Sequence, residues 1–223
     1  MGKTLLTPKQ LDFLELAQRD PEITKNFYWT GGSPLAEFYL KHRLSEDLDL
    51  FSEKKEVDPK LTDTFLKKIS SKIRVKHIKR SQFLGVVSYE LLYLDGGELK
   101  VDFNYYPFPR IEKGLKFKNF EVDSLQDIAA NKIHTLFMKP RARDYVDLYF
   151  IIKQKAYSLR KLIMDAKAKF DWDIDRVNLV SQFTRVKDIK DESLPKMLVP
   201  FDKHAMEKFF LKLAKGLENE IFK

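Results

Sequence analysis

Three aspartates are spaced for chemistry on phosphate. Asp47 and Asp49 stand two apart in SEDLDLF, and Asp102 lies in LKVDFNYY. In an extended strand successive side chains alternate faces, so Asp47 and Asp49 project to one side while Leu48 and Leu50 point to the other. In its own segment Asp102 shares alternate positions with Lys100 and Asn104. Neighbouring carboxylates repel, and they stay ionised together only where solvent or cations neutralise them. Oxygen donors of this kind suit magnesium or manganese, with water and phosphate oxygens completing the shell. Three acids from two strands could hold two such ions. Upstream, Gly31, Gly32 and Ser33 precede Pro34 in TGGSP. A glycine turn opening a helix presents backbone N–H groups and the positive end of the helix dipole, both of which favour phosphate. Taken singly, an acidic pair is commonly just solvated and a glycine turn merely bends the chain; it is their succession that suggests chemistry.

The elements needed to position these groups can be read around them. Thr7 and Pro8 open a helix over 8 to 19, NFYWT reads as a short strand, and Pro34 starts a helix through PLAEFYLKHR. DLDLF is a strand, Asp58 and Pro59 cap a helix through LTDTFLKKISSKI, and a basic strand follows at 73 to 79. Residues 84 to 94 and 98 to 106 flank DGG, a turn sequence that favours a hairpin. From Ser124 onward the pattern is helical: SLQDIAANKIHTLFM, ARDYVDLYFIIKQ, SLRKLIMDAKAKF and a last helix from about 202 to 222, with 185 to 200 as a loop. The expected fold class is α+β: a mixed sheet with flanking helices over residues 1–123, then a helical portion over 124–223 that completes the active site.

Composition narrows the function classes. The chain has 223 residues and no cysteine, which excludes disulfides, thiolate metal sites and a cysteine nucleophile; four histidines leave little for zinc. There is no signal-peptide pattern and no apolar run that could span a bilayer, so a soluble cytoplasmic protein without membrane association is expected. Lysine and arginine exceed the acids by 41 to 33, a net charge of +8 that suits a polyanion. Much of the excess lies in KKISSKIRVKHIKR, residues 67 to 80, which reads equally as a solvated surface.

TGGSPLAEFYLKHRLSEDLDLF resembles the glycine-serine turn and Asp-x-Asp strand of the polymerase-beta-like nucleotidyltransferases. Together with DIAANKIHTLFMKPRARDYVDLYFI it is similar to the AbiEii/AbiGii toxin family, which includes the MenT-type toxins. The resemblance runs from about residue 28 to residue 152. It implies that Gly32 and Ser33, beside Gly31, hold a triphosphate and that Asp47 and Asp49 hold magnesium or manganese. It places Arg43 at a basic nucleotide-binding position, Lys132 near the nucleotide and Asp147 at an acidic catalytic position, with Asp144 as an alternative. Asp102 would be the third acid and third metal ligand. From the residues alone, Lys132 could instead lie along the edge of an apolar stripe, and Arg143 with Asp147 could form an exposed helical pair.

The function implied is transfer of a nucleoside monophosphate from a nucleoside triphosphate to RNA, the acceptor end of transfer RNA, releasing pyrophosphate, with a cognate antitoxin as partner. The basic run, with Lys139, Arg141 and Arg143, could track an RNA backbone. Two other readings remain open: the same chemistry on a small-molecule or protein hydroxyl, and a non-catalytic protein that only binds RNA or nucleotide.

Overall fold

The computed structural model describes residues 4–155 and 157–221. The chain forms two compact units. The first comprises the residues up to Tyr39 together with Leu44–Ser124, and the second comprises Leu40–Arg43 with the chain from Leu125 onward.

The first unit is built on a five-stranded sheet. Its strands are β1 (Tyr28–Thr30), β2 (Leu48–Ser52), β3 (Val75–Phe83), β4 (Val86–Tyr93) and β5 (Glu98–Tyr105), in the order β1-β2-β5-β4-β3. Only β2 and β5 run parallel; the other neighbours are antiparallel. A parallel pair needs a long connection, and here it contains a helix and the β3–β4 hairpin. Three helices cover one face: α1 (Pro8–Ala17), α2 (Pro21–Asn26) and α4 (Pro59–Ser70). Each has a side-chain cap followed by proline, from Thr7, Asp20 and Asp58 respectively, so each start is fixed locally. Phe13, Leu14, Ile23, Phe65, Leu66 and Ile69 from these helices pack with Trp29, Leu48, Leu50, Val87, Val101 and Phe103. Burying each large apolar side chain contributes roughly 1.5–3 kcal/mol.

Register then determines the opposite face. Thr30, Asp49, Asp102 and Ser88 are successive cross-strand partners on β1, β2, β5 and β4. Two residues along, the next row on that face is Tyr28, Phe51, Asn104 and Val86. A short hairpin, β6 (Lys116–Phe117) with β7 (Phe120–Glu121), completes the unit.

The second unit is helical: α5 (Leu125–Met138), α6 (Ala142–Lys155), α7 (Leu159–Phe170), α8 (Arg176–Thr184) and α9 (Lys203–Ile221). Ile133, Val146, Leu148, Leu162, Phe183 and Phe210 are among its buried side chains. The segment Leu40–Arg43 is tied into this unit by main-chain pairing. Arg43 bridges to Met197, and Leu198 N donates to the His42 carbonyl at 2.9 Å.

Several elements differ from expectation. The helix expected over 34 to 43 is α3 (Gly32–Pro34) passing into a π-helical turn, Leu35–Leu40. It stops because Lys41 takes a left-handed conformation, φ 54°, which cannot continue a right-handed helix. Two short helices escape periodicity altogether. α2 has six residues, and α8 is announced chiefly by its cap, Asp175, which accepts from the amides of Val177 and Asn178. The basic strand continues to Phe83, where it turns into β4 through Leu84 and Gly85, both at positive φ. The loop at 185 to 200 contains two 3₁₀ turns, Arg185–Asp188 and Asp191–Ser193.

Candidate active site

In the first unit the glycine turn and an acidic strand meet. Gly31 has φ +84°, and a Cβ added to it would stand 2.3 Å from Asp49 Oδ2. Only glycine fits, because the backbone conformation disfavours side chains and the Asp49 carboxylate fills the space. Gly31 is also the N-cap of α3, whose first amides receive no side-chain cap. Ser33 is 2% exposed, and its Oγ accepts from Trp29 Nε1 at 2.9 Å. Indole is a donor only, so the serine keeps its own proton to donate. The side chain assigned to the triphosphate is thus buried and anchored, and the uncapped turn presents its backbone amides.

Asp49 and Asp102 are register partners across the parallel β2–β5 pair. Lys100 Nζ donates to Asp102 Oδ2 at 2.5 Å. Burial would lower the Lys100 pKa, but the hydrogen bond and charge of Asp102, then the charges of Asp47 and Asp49, carry it above the ordinary lysine value. One ammonium therefore feels all three acids and occupies the electrostatic position a cation would take.

Among the described residues, no group of three or more His, Asp or Glu side chains converges closely enough to hold a metal ion by itself. Magnesium asks less, since one or two carboxylates with water and phosphate oxygens suffice. Asp102 Oδ1 is buried and has no hydrogen-bond partner among the described residues. A buried carboxylate oxygen left this way is costly unless something donates to it or coordinates it. The donor set therefore fits a hard divalent ion held by Asp49 and Asp102, with Asp47 at the strand entry.

The second unit holds a separate cluster of charge. Arg43 Nε and Nη2 meet Asp147 Oδ1 and Oδ2 at 2.6 and 2.8 Å, and His42 Nε2 lies 2.8 Å from the same Oδ1. Lys132 Nζ bridges Asp144 Oδ1 and Asp147 Oδ2, both at 2.7 Å. All five residues are buried. Burial favours the uncharged form of Asp147, yet Lys132, Arg43 and the hydrogen bonds hold its carboxyl well below the usual range. For His42 burial dominates and pushes the imidazole down despite the carboxylate beside it. A neutral imidazole thus joins two cations and two carboxylates that balance one another. Such a cluster is stable only when complete, since losing one partner strands a buried charge.

This arrangement replaces two simpler expectations. Lys132 does not lie along the edge of an apolar stripe but closes an ion pair in the interior. Asp147 is buried and bound by Arg43, His42 and Lys132 rather than exposed on a helix. Arg43 has its guanidinium engaged by Asp147, and Lys132 has two of its three N–H groups committed. Sequence reasoning missed His42, although it stands beside Arg43; a histidine next to one turn-forming lysine carries no periodic signal. It also missed the fully buried pair Lys169 and Asp127, 2.7 Å apart.

The sequence matches the family described as nucleotidyl transferase AbiEii toxin, type IV toxin–antitoxin system, over residues 16–216. The chain belongs to that family, so a nucleotide substrate and an antitoxin counterpart come with the membership. It is 26% identical over 199 residues to the uncharacterised protein aq_aa25 of Aquifex aeolicus (strain VF5), covering 88% of this chain and 91% of that one. The fold is similar to crystal structures of two Helicobacter pylori proteins. JHP933 has a TM-score of 0.60 and 21% identity, with 95% of this chain and 90% of that chain covered. A candidate nucleotidyltransferase has a TM-score of 0.61 and 19% identity, covering 96% and 97%. No helix among the described residues is long and apolar enough to cross a membrane.

Proposed function

We propose that the protein transfers a nucleoside monophosphate from a nucleoside triphosphate to a hydroxyl of RNA, at the acceptor end of transfer RNA, and acts in the cytoplasm. The observation that carries the reading is the Asp49 carboxylate set against the Gly31 turn with Asp102 beside it in register. Asp49 and Asp102, with Asp47, would hold magnesium or manganese, which when bound neutralises charge gathering on the phosphate oxygens.

The residues themselves have distinct tasks. The acceptor oxygen bonds to the α-phosphorus, the bond from that phosphorus to the bridging oxygen breaks, and pyrophosphate leaves. The uncapped amides of the Gly31–Ser33 turn orient the phosphates and stabilise their charge. Lys100 leaves Asp102 one oxygen, which either takes the hydroxyl proton or completes the metal shell. In the second unit Asp147, itself bound by Arg43 and His42, fixes Lys132 in place.

RNA is favoured over other acceptors by charge. Lys67, Lys72, Arg74 and Lys76 are all exposed on the stretch from α4 into β3, and the chain as a whole carries +8. A backbone of phosphates matches that surface, whereas a cationic small molecule does not.

The test is incubation with each α-labelled triphosphate, magnesium and total RNA, followed by sequencing of RNA 3′ ends. Added nucleotides that vanish with Asp49→Asn support the proposal. Label appearing only on protein or small molecules would replace the acceptor, and label nowhere under these conditions would overturn the transferase reading.

A further inference from the structure

The face that carries the acids continues into an aromatic patch that the transfer chemistry leaves unused. One step along the alternate-residue row from Asp49 is Phe51, partnered by Tyr28 on β1 and Asn104 on β5. The Phe51 ring lies 6.1 Å from Tyr28 and 4.7 Å from Tyr106, which is followed by Phe108 at 4.9 Å. The Arg110 guanidinium sits over the Tyr28 ring at 4.6 Å and reaches Glu121 at 2.8 Å. Phe51, Asn104 and Tyr106 are partly exposed.

A second observation points to a ligand. Tyr28 is 4% exposed, and its hydroxyl finds no hydrogen-bond partner among the described residues. A buried phenol left unsatisfied is unfavourable by about 1–3 kcal/mol, and phenylalanine would pack the same ring without that penalty. Tyr28 is thus more polar than packing requires, next to rings more exposed than a core requires.

We infer that Tyr28, Phe51, Asn104 and Tyr106 form a subsite for a nucleobase, adjoining the acids along the same sheet face. The partly exposed rings of Phe51 and Tyr106, inclined at 44° to one another, each offer a face on which any base can stack. The Tyr28 hydroxyl and the Asn104 amide supply a donor and an acceptor at its edge. The spacing suits a nucleotide, because the row of acids that would hold the cation and the row of rings are successive rows of one face. This inference rests on the nucleotidyl transfer reading only for the source of the base, which is either the incoming triphosphate or the terminal residue of the acceptor.

Equilibrium binding separates the possibilities. Tyr106→Leu keeps an apolar side chain, and Tyr28→Phe keeps the ring and removes only the hydroxyl; thermal melting of each establishes that the fold is intact. The probes are the four nucleoside triphosphates against inorganic tripolyphosphate, and a short single-stranded RNA against the same RNA with an abasic 3′ end, all with magnesium. Stacking predicts roughly tenfold weaker binding of a base-bearing probe by Tyr106→Leu, with affinity for its base-free counterpart held within about twofold. Tyr28→Phe should melt at the same or a higher temperature yet bind the base-bearing probe more weakly, which a purely structural tyrosine would not do. Loss confined to the triphosphates assigns the site to the incoming nucleotide, and loss confined to the RNA assigns it to the acceptor. Unchanged binding of every base-bearing probe overturns the subsite, even if Asp49-dependent transfer is observed. Selective weakening without any transfer by the wild type would keep the subsite and remove the transferase reading instead.

Discussion

Asp49 rests its carboxylate against the α-carbon of Gly31, leaving no room for even a methyl group between turn and strand. The glycine is therefore both the hinge of the turn and the floor on which the acid lies. Gly31→Ala should lower stability by about 1–3 kcal/mol from the positive-φ backbone alone, and displace Asp49 as well. Magnesium-dependent nucleotide transfer should fall by more than that destabilisation accounts for, as read by comparing rate with the folded fraction at each temperature.

Asp49 should behave oppositely in stability and in activity. Asp49→Asn removes one member of a repelling set, so the melting temperature without metal should hold or rise. Nucleotide transfer should drop about a hundredfold or more, beyond the effect typical of losing a residue behind a metal ligand. A parallel fall in melting temperature would mean that the acid is structural.

Lys100 provides an independent check on the cation site. Lys100→Gln removes the ammonium now shared among Asp47, Asp49 and Asp102. The metal-free protein should melt lower, and added magnesium or manganese should stabilise the variant more than the wild type, because the ion no longer competes with a fixed cation. Equal thermal shifts in the two proteins would argue against ion binding at these acids.

The buried cluster of the second unit sets a pH window. Asp147 and Asp144 have carboxyls held below the ordinary value of 3.8, so their stabilisation is complete above that value and is lost as pH falls through the folded pKa. His42 is also depressed, from 6.5, so the unfolded chain gains a proton first and stability already declines as pH drops below 6.5. Lys132 is raised above 10.5, and its contribution disappears only as pH climbs past that value. Stability of this cluster is thus greatest between these limits. Asp147→Ala should lower stability by about 3–5 kcal/mol by stranding Arg43 and Lys132, as measured by denaturant unfolding at neutral pH.

If RNA follows the basic surface, replacing Lys72 and Lys76 by alanine should weaken binding similarly for different sequences. The log–log dependence on salt should become shallower by about 0.7–0.9 per lost phosphate contact. An unchanged slope would move the RNA path elsewhere.

Much of this layout could be read from spacing. Alternation placed Asp102 with Lys100 and Asn104 on one face, and the DGG turn announced the β4–β5 hairpin with its tip at Gly96. Register could not be read, because alternation says which residues share a face and not which strands adjoin; the pairing of Asp49 with Asp102 is long-range. The role of Lys41 was invisible for a different reason: a lysine carries no sign that its backbone will be left-handed. Two partners of Asp147, Arg43 and His42, lie more than a hundred residues away in sequence, whereas Arg143 was the neighbour that local spacing offered. Tyr28 and Phe51 read as ordinary strand hydrophobics, since an unsatisfied hydroxyl is recognisable only once its surroundings are known.

The short Leu40–Arg43 segment has a consequence for how the protein can be made or divided. These four residues emerge from the ribosome long before the helices they join, so the helical unit cannot finish folding until an early piece of chain is delivered to it. No single cut separates the two units: a fragment beginning at Leu125 would carry Asp147 without Arg43 and His42. Attempts to express the halves apart should yield an insoluble or loosened C-terminal piece, and recovery by co-expression would require a partner fragment extending through Arg43.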